Sequence, residues 1–104
     1  MEYRYFPGKL RFRDHILRDE DIRNSAIEVV HIICPSAKID YIEKTSGILA
    51  TFNPESLDVE KLKTFLPMLM EIEPKVRFFT PKKKNAILEG IEQIKNKAKD
   101  LFNY

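Results

Sequence analysis

Lys9, Arg11 and Arg13 alternate with Leu10 and Phe12. A strand there carries three cations on one face and two hydrophobes on the other, because successive side chains point to opposite sides. Guanidinium groups so arranged can hold carboxylates or phosphates through paired N–H bonds, so the chemistry to expect is recognition of an anionic ligand, an acidic protein or an anionic surface. The competing reading is a solvated sheet face whose cations pair with Asp40 and with acids on the last helix. His15 falls on the loop after this strand, and His31 falls on a helix surface; both read as exposed side chains. Cys34, ahead of Pro35, reads as a small semi-buried hydrophobe. There is no nucleophile with a base, no pair of carboxylates in a shared motif and no glycine-rich phosphate loop. The expectation is a protein that is not an enzyme, with no catalytic residue, cofactor site or metal site, and with Lys9, Arg11 and Arg13 as its binding surface.

The chain of 104 residues is 43% hydrophobic and 33% charged, enough apolar material for one core. Its formal charge of +2 is too small to mark a nucleic-acid binder. A single cysteine rules out an internal disulfide and any Cys-x-x-Cys site, which fits a reducing compartment. No apolar run approaches the roughly 20 residues that span a bilayer. A cytoplasmic, non-transmembrane protein is expected, at most peripheral to a membrane.

These residues need elements to hold them. The first strand is read as residues 7–13, with Asp19 capping a helix to about Ile33 on which Ile22, Ala26, Val29, Val30 and Ile33 form one apolar stripe. Cys34-Pro35-Ser36 stops that helix. Two β runs, Ala37 to Thr45 and Ile48 to Phe52, are joined through Thr45-Ser46-Gly47, with Gly47 expected to take the positive φ of a hairpin turn. Asp58 caps a second helix bearing Val59, Leu62, Phe65, Leu66 and Leu69, in which Pro67 predicts a kink or a stop near Leu66. A last strand is placed at Lys75 to Phe79. The order β, α, β, β, α, β predicts an α+β, ferredoxin-like antiparallel sandwich over residues 1–80. Residues 81–104 form an added amphipathic helix with Ile87, Leu88, Ile91, Ile94, Ala98, Leu101 and Phe102 on one side. The open sheet face, with Ile42, Leu49 and Phe79, is its expected docking place.

In that order of elements, Pro7-Gly8-Lys9-Leu10-Arg11-Phe12-Arg13 resembles the Pro-Gly-Arg-x-Arg-x-Arg strand of heavy-metal-associated-like domains. These ferredoxin-like modules occur as small proteins and at the N-termini of some transition-metal P-type ATPases. Lys44 to Pro54 is similar to that family's Thr-Gly-Ser turn and Asp-Pro exit, and the resemblance covers roughly residues 5–79. Metal-carrying relatives hold the ion with Cys-x-x-Cys in the loop after the first strand, where this chain has Asp14-His15-Ile16-Leu17-Arg18. The resemblance therefore implies a module tied to metal transport or storage but without a thiolate site.

Two functions of different class follow. One is a non-enzymatic binding or adaptor module that meets a protein partner through the basic strand face, or associates with its own copy through the last helix. The other is a ferredoxin-like small-molecule regulator or enzyme subunit with its site in a dimer interface. Sequence-specific nucleic-acid recognition is not expected, because the strand face carries cations where RNA-binding modules carry stacking aromatics.

Overall fold

The computed structural model describes residues 2–69 and 81–102. The chain is an α+β protein built on a four-stranded antiparallel sheet in the order β1-β2-β4-β3, where β1 is Glu2–Phe6, β2 Lys9–Arg13, β3 Lys38–Ile42 and β4 Gly47–Thr51. Three helices accompany it among the described residues: α1, Glu20–Ile33; α2, Val59–Leu69; and α3, Lys84–Leu101.

The N-terminal strand is an addition to the expected order. Pro7-Gly8 does not open a strand but turns a hairpin, pairing Phe6 with Lys9 and Glu2 with Arg13. Gly8 takes φ 87°, as the third residue of a type II turn requires. β1 thus occupies the sheet edge beside β2, while the strand expected at Lys75–Phe79 lies outside the described residues. On the other side β4 pairs antiparallel with both β2 and β3, so β2 and β3 run parallel with β4 between them.

Alternation decides which face is covered. Leu10, Phe12, Ile48 and Ala50 are buried in one core cluster with residues from all three helices, and Tyr5 and Ile39 pack at its margins. The helices therefore lie on this face. Asp19 caps α1, its Oδ1 accepting from the Asp21 and Ile22 amides at 3.0 and 3.2 Å. The expected stripe is buried at Ile22, Val29, Val30 and Ile33. Asp58 likewise accepts from the Lys61 amide at the start of α2. That helix continues through Pro67 to Leu69 instead of stopping near Leu66. The missing proline N–H orphans the carbonyl of Lys63, an exposed position where water can take its place, while buried Phe65 and Leu66 anchor the same turn.

α3 docks elsewhere than expected. Its buried residues Ile87, Ile91, Ile94 and Ala98, with Phe102 just beyond, join the shared core and meet α1 and α2. The Phe102 ring sits edge-on to Phe65 of α2, with centroids 5.8 Å apart. Lys84 reaches Asp19 and Asp21 at the start of α1, and Lys95 pairs with Glu28 further along, so α1 and α3 run side by side in the same direction. A layer of helices offers α3 a wide apolar groove, whereas the outer sheet face offers charge. The open face thus stays uncovered by α3, and the stripe expected to seek a second copy is already buried within the chain.

Candidate anion-binding surface

The outer sheet face forms three rows set by strand register. From β1 to β3 they read Glu2, Arg13, Gly47, Ile42; then Arg4, Arg11, Leu49, Asp40; then Phe6, Lys9, Thr51, Lys38. Lys9, Arg11 and Arg13 do share one face, and Arg4 and Lys38 join them. Against these five cations stand Glu2 and Asp40, an excess of three positive charges where the whole chain has two.

The cations are not equivalent. Arg13 donates to Glu2 at 2.6 Å, and Glu2 is also 3.7 Å from Arg4. The hydrogen bond from Arg13 holds the Glu2 carboxyl below its ordinary range, with the nearby charges of Arg13, Arg4 and Arg11 acting in the same direction. The side chains of Lys9 and Arg11 make no hydrogen bond or ion pair among the described residues. Asp40, the expected counter-charge, lies in the row of Arg11 but with β4 and Leu49 between them. The acids of α3 are excluded from the face because that helix lies on the other side of the sheet. Arg4 and Arg11 stand directly opposite each other in the β1–β2 ladder, a like-charge juxtaposition that disfavours the folded chain and is relieved in part by the Glu2 carboxylate. Phe6, 58% exposed, and Ile42, 37% exposed, mark two diagonal corners of this face.

Arg4, Phe6 and Lys38 were missed as members of the surface. Two alternating runs, Glu2–Phe6 and Lys9–Arg13, separated by Pro7-Gly8 are the signal of a hairpin that would have placed Arg4 and Phe6.

His15 is exposed, with Nδ1 3.1 Å from Asp14 Oδ1, while that same oxygen accepts from the Ile16 amide and starts a 3-10 turn at His15–Arg18. Cys34 is more deeply buried than expected, 2% exposed, with Sγ 3.5 Å from the Ser56 hydroxyl. The fourteen-residue α1 lies between the two residues in sequence. Among the described residues no group of three or more His, Cys, Asp or Glu side chains is placed to hold a metal ion. His31 is exposed, its Nε2 3.1 Å from the Ala37 carbonyl, where it braces the α1–β3 connection. No described helix is long and apolar enough to cross a membrane.

Compared with known proteins, the chain matches no family model, no curated protein and no solved structure.

Proposed function

We propose that the chain is a non-enzymatic binding module that presents its open sheet face to an acidic protein surface. The observation that carries this reading is Arg11, held mid-face opposite Arg4 with no ion pair of its own among the described residues. Folding has placed like charges together at a cost that an anionic partner would offset. Exposed Phe6 beside Lys9 and half-buried Leu49 beside Arg11 give such a partner apolar contact between the charges.

We also assign the module to the ferredoxin-like, heavy-metal-associated-like kind, associated with metal transport or storage and lacking a thiolate site. Support for that kinship comes from the Pro-Gly-Lys-Leu-Arg-Phe-Arg segment on a central strand, and from two parallel strands linked by a helix and separated by a third. The absence of any thiol from the Asp14–Arg18 loop supports the metal-free part.

The test is binding of a fluorescent polyglutamate peptide at low and at physiological salt. The wild-type chain should bind with an affinity that falls as salt rises, and a variant with Arg4, Lys9 and Arg11 all changed to Gln should bind at least about tenfold more weakly. Equal binding by the two proteins rejects the face as the recognition surface. Tight stoichiometric uptake of copper or zinc by the purified protein rejects the metal-free assignment.

A further inference from the structure

Beyond the open face, the end of the sheet holds a second concentration of charge. There β2 runs into Asp14 and the β3–β4 connection meets it, leaving a shallow open depression lined by Glu2, Arg13, Asp14, Arg18, Lys44 and Ser46, among others. Arg13 is already engaged with Glu2 at 2.6 Å, and the His15 ring lies 3.1 Å from Asp14. Arg18 and Lys44 have no ion pair among the described residues.

Arg18 is nevertheless held in place. Its Nε–H donates to Ser46 Oγ at 2.6 Å, and the two terminal nitrogens of its guanidinium have no partner among the described residues. Ser46 is itself fixed with unusual care for a turn residue. It is 4% exposed and adopts the left-handed conformation, φ 53°, which costs a residue other than glycine about 1 kcal/mol. Its carbonyl accepts from the Asp14 amide at 3.2 Å, tying the two loops of the depression together. The hydroxyl that accepts from Arg18 retains its own proton to donate. The result is a neutral acceptor that orients a guanidinium without cancelling its charge.

We propose that this depression binds a phosphate group, as inorganic phosphate or a phosphate monoester, between the terminal nitrogens of Arg18, the ammonium of Lys44 and the hydroxyl of Ser46. A planar fork, a point charge and a hydroxyl can serve three oxygens of a tetrahedral anion, whereas a carboxylate offers only two. Because Arg18 is already oriented, little side-chain entropy remains to be lost on binding. The site does not depend on the acidic-partner reading, since Lys9, Arg11 and Arg4 are not among its lining residues.

The experiment is titration of the isotope-labelled protein with inorganic phosphate, followed by amide chemical shifts at constant ionic strength. Saturable shifts confined to residues 13–18 and 43–47 are expected. Arg18→Gln should weaken binding at least about tenfold, the equivalent of one lost charge-assisted hydrogen bond, and Arg18→Lys should recover only part of it. Ser46→Ala should weaken binding severalfold with the amide spectrum of the core unchanged, whereas the triple open-face variant should bind phosphate as the wild type does. Shifts that do not saturate, that chloride reproduces, or that survive Arg18→Gln overturn the proposal. Co-sedimentation with vesicles containing phosphatidic acid, lost in Arg18→Gln, would place the phosphate on a lipid headgroup; phosphate binding without co-sedimentation places it on a soluble ligand.

Discussion

Lys84, the first residue of α3, reaches back to Asp19, the residue that caps α1, with its ammonium 3.1 Å from the carboxylate and 2.7 Å from that of Asp21. One carboxylate thus starts the first helix and fastens the last. Burial alone would raise the Asp19 carboxyl, but the Ile22 amide, Lys84 and the Asp21 amide together outweigh it and hold the group below its ordinary value of 3.8. The same contacts, led by Asp21, raise Lys84 above 10.5. A lowered carboxyl contributes stability that is fully present above the unfolded value and is lost as pH falls through the folded one. Asp19→Asn keeps a cap but not the ion pair, and Asp19→Ala removes both. At neutral pH the alanine variant should lose about 1–2 kcal/mol and the asparagine variant less. Urea unfolding from pH 5 downward should show a shallower acid loss in both variants than in wild type.

On the opposite side of the sheet, Arg11 and Arg4 set function against stability. If their juxtaposition exists for a ligand, removing one charge should stabilise the free protein while weakening its binding. Arg11→Gln is expected to raise unfolding free energy by a few tenths of a kcal/mol, the size of an opposed like-charge pair in a sheet, and to reduce polyglutamate affinity. A variant that loses both stability and affinity would show Arg11 to be a structural residue.

How legible these surfaces were depended on the distance over which each signal acts. The α1 cap and stripe could be read because Asp19, Ile22, Val29, Val30 and Ile33 interact within a few turns of one helix. Lys9, Arg11 and Arg13 could be placed on a common face because strand alternation is local. The docking place of α3 could not, since its stripe fits any apolar surface and only the assembled α1–α2 layer decides between them. The positive φ at the β3–β4 connection falls on Ser46 and not on Gly47, although glycine is the usual occupant. The reason is steric on the far side. A β-carbon on Gly47 would meet Thr45 Oγ1 at 2.9 Å and the Phe12 carbonyl at 3.3 Å, so the glycine there makes room for β2. The depression at the end of the sheet has no contiguous signature at all, because Arg18 and Ser46 are 28 residues apart.

The buried position of α3 makes it part of the core and not an appendage. Ile87 is fully buried, and Phe102 is 3% exposed against Phe65. Ile87→Ala should cost about 2–5 kcal/mol and Phe102→Ala about 3–5 kcal/mol, both read by chemical denaturation. A chain ending at Thr80 should be strongly destabilised, while light scattering of the full chain should give the mass of a monomer. A dimeric full chain with a stable monomeric truncation would instead make α3 an assembly element.

Gly8 and Gly47 should respond differently to the same substitution. Gly8 sits at φ 87°, and its added β-carbon would lie 3.1 Å from the Phe52 carbonyl, whose residue donates its amide back to Gly8 at 3.0 Å. Neither the backbone conformation nor that carbonyl can yield without opening the end of the β2–β4 ladder. Gly47 has no positive φ, and the nearest obstacle is the exposed Thr45 side chain, which can rotate away; the Phe12 carbonyl then needs to shift by only a few tenths of an ångström. Gly8→Ala should therefore cost more than Gly47→Ala, with about 1–2 kcal/mol from the left-handed conformation alone. Thr45→Ala should relieve Gly47→Ala but not Gly8→Ala in a double-mutant cycle of unfolding free energies. Equal penalties, unaffected by Thr45→Ala, would show that crowding against the Phe12 carbonyl dominates at Gly47.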